Sequence, residues 1–144
     1  MNIAFLGIVA ILGGVAIVLQ SQFIGLMDKQ LGTLESVFIT YGSGGLLVTF
    51  LMLLAKGGNL RAWQNVPWYA YTAGILGLVI VGVISYIVPR LGLATAFTVM
   101  VATQFVLGAV VDQYGLLGAE VHALNLSKLV GLGLLFAGIV LIIR

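Results

Sequence analysis

The sequence predicts an all-α integral membrane protein, a single transmembrane domain over residues 1–144 with five transmembrane helices. Three observations carry this. Hydrophobic residues make up 62% of the chain and charged ones 7%, against about 25% charged in ordinary soluble domains. Five apolar runs are present, each near the roughly 20 residues that a helix needs to cross the hydrocarbon core. Short segments rich in Gly, Pro and charge separate them.

Composition also excludes several functions. No cysteine is present, so neither a disulfide frame nor a thiolate metal site is available. The net charge of +2 comes from a handful of Lys and Arg rather than a basic patch, which argues against nucleic acid as a partner. With one His, no Cys and no acid pair at helical spacing, the chain is not expected to be an enzyme or to hold a cofactor or metal. Gly42-Ser43-Gly44-Gly45 shares only its glycines with a phosphate loop; no Lys follows, and the apolar context makes it a packing surface.

The first span covers residues 3–27. Its first positive charge, Lys29, comes after the apolar run, the reverse of a signal peptide. Gln20 and Ser21 make its second half polar, and Gln20 is placed in a cavity while Gln22 sits near the headgroups. A turn at residues 28–32 ends it, and Thr33 caps the second span, residues 33–55. Glu35 lies in the first turn, where the helix dipole favours an acid. It is also the one candidate carboxylate for a proton or cation site. Ser36, Thr40 and Gly44 recur every four residues beside Tyr41 and Ser43, giving a small, weakly polar face.

Trp63, Trp68, Tyr69 and Tyr71 form an interfacial belt before the third span, residues 67–88, with Pro67 in its first turn. Gly74, Gly77 and Gly82 thin this helix, and Pro89-Arg90-Leu91-Gly92 breaks it. The fourth span, residues 94–111, carries Thr95, Thr98, Thr103 and Gln104. An unpartnered amide at mid-span costs several kcal/mol, so Gln104 requires a neighbouring helix or a ligand. Asp112 stands at the negative end of this helix and Lys128 at the positive end of the fifth, both against the dipole, so an ion pair between them is expected across the connecting loop, ahead of the alternative of a coupling-ion role. His122, in that loop, reads as a solvated interfacial residue.

In the fifth span, residues 127–143, Gly131 and Gly138 are seven residues apart and share a stripe with Leu135. In lipid, small residues that let backbones approach are what favour helix association, so this stripe is read as a dimer interface. Five spans place the termini on opposite membrane faces, with Lys56, Arg61 and Lys128 on one side and Lys29, Arg90 and Arg144 on the other. Equal Lys/Arg counts give no preferred orientation, so copies are expected to insert both ways and pair as an inverted repeat.

Pro89-Arg90-Leu91-Gly92, the stretch from Gln104 to Gly115 and the glycine-bearing last helix resemble the YdcZ-type family, half-size members of the drug/metabolite transporter superfamily. The resemblance covers nearly the whole chain. Gly131 to Gly138 is also similar to the dimerising last helix of the small multidrug resistance family. The resemblance implies that two five-helix chains assemble antiparallel to match the architecture of full-length members. Those multidrug exporters use a membrane-embedded Glu in the first helix, and the apolar run at residues 3–27 holds no acid.

The expected function is therefore an exporter of a small organic solute or cation, a multi-pass protein of the bacterial inner membrane. Its partners are lipid, the substrate and a second copy of itself. Its pocket, between the two chains, is lined by Gln104, Thr98, Ser43, Tyr41 and Gln20, with Glu35 entering from one end. A dual-topology ion channel and a non-transporting assembly subunit are the alternatives.

Overall fold

The computed structural model describes residues 3–143, apart from the side chains of Arg61 and Ile143, and the regular structure of the described residues is helical. Arg144, counted above in the charge balance, lies outside them. The helices are α1 (Ile3–Leu31), α2 (Thr33–Leu54), α3 (Ala73–Leu91), α4 (Leu93–Tyr114) and α5 (Leu126–Ile143), one for each expected span. Among the described residues, four segments are long and apolar enough to cross a membrane: Ile3–Leu31, Thr33–Leu54, Trp68–Leu91 and Leu93–Tyr114. At 18 residues, α5 rises only roughly 27 Å, slightly less than the hydrocarbon core. The chain divides into two compact units, Met1–Arg90 and Leu91–Arg144.

Two boundaries differ from expectation. Residues 28–31 are not a turn but the last turn of α1, which stops where Gly32 takes φ 107°, a conformation that favours glycine. Polarity alone does not end a helix while its backbone bonds continue. Thr33 does not cap α2; its hydroxyl donates instead to the Asp28 carboxylate at 2.5 Å. The first helix therefore does hold an acid, at its end.

Pro89 does not break α3, which runs on to Leu91 and stops at Gly92, φ 80°. Within the last turn, a proline forfeits only the bond to the Ser85 carbonyl four residues back. Packing offsets that loss: Val88 is buried, and the Pro89 ring lies 3.5 Å from where a Cβ on Gly25 would stand. At its other end the third span enters through short 3-10 turns, Leu60–Asn65 and Trp68–Thr72, and the Tyr71 hydroxyl donates to the Trp63 carbonyl to tie the aromatic belt together.

The first unit packs through small residues, as expected where lipid removes the hydrophobic drive between helices. Ser21 and Gly25 of α1, Ser36 of α2 and Ser85 of α3 are buried with Ile24, Val81, Ile84 and Val88. Ser21 and Ser36 donate to carbonyls of their own helix at 2.7 and 2.6 Å, so neither hydroxyl is stranded. Gly77 leaves the space that the Tyr41 hydroxyl occupies, and Gly82 faces Val37, which is how the thinned face of α3 receives α2. In the second unit, α4 and α5 pack together with Ala96 and Ala102 buried.

Candidate functional site

The turn after α4 brings two charged residues to one place. Gly115 ends α4 in the left-handed conformation, φ 59°, with its N–H bonded to the Val111 carbonyl. The segment that follows is pinned to α4: His122 N–H donates to the Asp112 carbonyl at 2.9 Å and Leu124 N–H to Gln113 Oε1 at 2.6 Å. Asn125 then accepts from Lys128 N–H at 2.8 Å, the side-chain cap that starts α5.

Helical spacing does the rest. Gln104, Gly108 and Asp112 recur every four residues along α4, with Phe105 and Ala109 beside them. Lys128, Gly131, Leu132 and Leu135 form the facing stripe of α5. Together they line a trough of about 610 Å³. That volume lies within the range of small-molecule sites, and the mixture of apolar walls with a few polar groups is typical of them.

The polar groups of the trough are poorly satisfied by the protein. Asp112 and Lys128 both line it, yet their charged atoms do not come within 4.0 Å, so the expected ion pair is not formed. Lys128 Nζ reaches only the His122 carbonyl, at 3.4 Å, and the Asp112 carboxylate has no partner among the described residues. Each charge opposes its own helix dipole, at a cost of a few tenths to about 1 kcal/mol. The Gln104 amide is exposed to the trough and likewise makes no hydrogen bond among the described residues. Gly131 and Gly138 have no atom within 4 Å of an added Cβ, so their stripe is not filled by the chain itself.

Of the expected pocket residues, the trough gathers Gln104 alone, joined by Gly131 and Leu135 of the expected interface and by Asp112 and Lys128. Thr98 lies elsewhere on α4 and donates to the Ala94 carbonyl at 2.7 Å. In the first unit, Ser43 donates to Ile39 and Thr40 of its own helix, at 2.8 and 3.2 Å, and is exposed. Tyr41 is seated against Gly77, Gln20 is exposed on α1, and Glu35 folds back with Oε2 2.8 Å from where a Cβ on Gly32 would be. A second hollow of about 310 Å³ beside α4 and α5 is almost wholly apolar, and its Thr103 hydroxyl is bonded to the Val99 carbonyl at 3.0 Å.

Sequence reasoning missed one cluster. The Asp28 side chain, 6% exposed, accepts from Thr33, from Ser85 at 3.3 Å and from Arg90 at 3.3 Å, the one ion pair among the described residues. Arg90 also donates to the Tyr86 carbonyl at 2.5 Å and lies over the Tyr86 ring, 3.8 Å from its centroid. An acid ending the first span and a base ending the third, on the same membrane side, were the available signal.

The described residues thus form an all-helical membrane protein with an open, sparsely polar trough. A family model described as "Putative inner membrane exporter, YdcZ" matches residues 5–141, and the chain belongs to that family. It is a family of transporters rather than enzymes. No curated protein and no solved structure matches the chain.

Proposed function

We propose that the protein exports a small organic solute across the bacterial inner membrane as an antiparallel, dual-topology homodimer. The observation that carries this reading is the trough: Gln104, Asp112 and Lys128 line it with polar groups left unbonded or weakly bonded among the described residues, while an added Cβ at Gly131 or Gly138 has no described atom within 4 Å. A second copy packed along Gly131, Leu135 and Gly138 roofs the trough and makes it a pocket between two chains. Gln104 is the central substrate contact in this arrangement. The balanced Lys/Arg count supports insertion in both senses.

Fixing the orientation tests the proposal. Two Lys added to the segment at residues 28–32 hold that side in the cytoplasm; two added at residues 56–61 hold the opposite side there. Each variant alone is expected to give monomers on crosslinking in membranes, and co-expression of the two is expected to restore the dimer. Dimers from either variant alone would overturn the antiparallel arrangement.

A further inference from the structure

The trough constrains the class of molecule that enters it. Asp112 is the last residue of α4 to line it and Lys128 the first of α5, so both charges stand at the end next to the connecting segment. Opposite in sign and sharing one cavity, they nevertheless do not pair. Beyond them the walls become apolar through Phe105, Leu132 and Leu135, with the Gln104 amide two helical turns away, roughly 12 Å along α4.

We infer that the trough binds a zwitterionic amphiphile, a small organic molecule with an ammonium and a carboxylate at one end of an apolar body. The inference rests on the exporter reading for what happens after binding. The ligand's ammonium donates to the Asp112 carboxylate, its carboxylate accepts from Lys128, and its body lies along Phe105, Leu132 and Leu135. A plain organic cation meets Asp112 but places its charge beside the Lys128 ammonium. A plain organic anion does the converse with Asp112. Like-charge juxtaposition selects against both, and only a ligand carrying both signs satisfies both walls.

Phenylalanine, phenethylamine and 3-phenylpropanoate share one apolar body and differ only in charge. Their binding to the full-length protein in lipid nanodiscs, measured by titration calorimetry, is expected to favour phenylalanine over either analogue by at least about tenfold. Asp112→Asn is expected to erase its advantage over 3-phenylpropanoate, and Lys128→Gln its advantage over phenethylamine. Thermal unfolding without ligand identifies any variant that has lost its fold, and the wild-type comparison of the three probes needs no variant. Equal or tighter binding of either analogue to wild type, preferences unchanged in both folded variants, or no saturable binding of any probe would overturn the inference. A dimer restored by co-expression together with no zwitterion preference sinks this inference alone. Phenylalanine binding by a protein that never pairs antiparallel sinks the exporter arrangement alone.

Discussion

Two acid and base pairs sit at helix ends in this chain and do opposite things. Asp28 and Arg90 are bonded to each other and to Thr33, Ser85 and Tyr86, with the carboxylate almost wholly covered. Asp112 and Lys128 face a common cavity and do not meet. The residue types are alike; the difference lies in what surrounds them. A carboxylate surrounded by three donors holds α1, α2 and α3 together at one end. A carboxylate with no donor among the described residues, lining one cavity with an ammonium that reaches only the His122 carbonyl, holds nothing together and is what the proposed ligand would satisfy.

The largest expected effects fall on the satisfied pair. Asp28→Ala removes a charged acceptor from three donors and should lower stability by about 2–3 kcal/mol, the half-exposed Arg90 recovering some hydration. Asp112→Ala should leave the melting temperature unchanged or slightly higher, because the removed charge opposes its helix dipole. Equal losses in the two variants would erase the contrast.

The glycines sharpen it next. A Cβ on Gly25 would stand 3.2 Å from Val88 Cγ1, so Gly25→Leu should cost about 1–3 kcal/mol through overpacking, read as a lower melting temperature. At Gly131 and Gly138 an added Cβ has no described atom within 4 Å, so Gly131→Leu together with Gly138→Leu starts from open space. That variant should insert and fold, yet lose its crosslinked dimer.

Smaller still are the effects of neighbouring polar groups on α4. Gln104→Leu keeps roughly the same volume and should fold while losing ligand binding. Thr103→Val removes a hydroxyl already bonded to its own helix, and should change stability by less than about 0.5 kcal/mol with binding unaffected. Normal binding by a destabilised Gln104→Leu protein would make that amide structural glue instead.

The helices themselves were legible because apolar length is a strong signal. Every expected span has its helix, and most ends agree within a few residues. The exceptions share a cause. Asp28 and Pro89 read as breakers in isolation, and each is held inside a helix by partners far along the chain: Asp28 by Ser85 and Arg90, Pro89 by the bare surface at Gly25. Sequence spacing singled out Gln104, Gly131 and Leu135, which line the trough, and set Asp112 near Lys128. It did not give the side-chain separation, which depends on how the pinned connecting segment sets Lys128 against α4.

The account's central claim is that the trough beside Gln104 is an aqueous ligand path rather than a lipid-facing surface. The chain has no cysteine, so a single introduced thiol reports without background. Thiols react with maleimides as thiolates, which form in water and not in hydrocarbon. Gln104→Cys is to be compared in native membranes with Leu134→Cys, a residue of α5 that is 69% exposed and lines neither hollow. The account predicts that N-ethylmaleimide modifies the cysteine at 104 and spares the one at 134. Equal silence at both positions would contradict it.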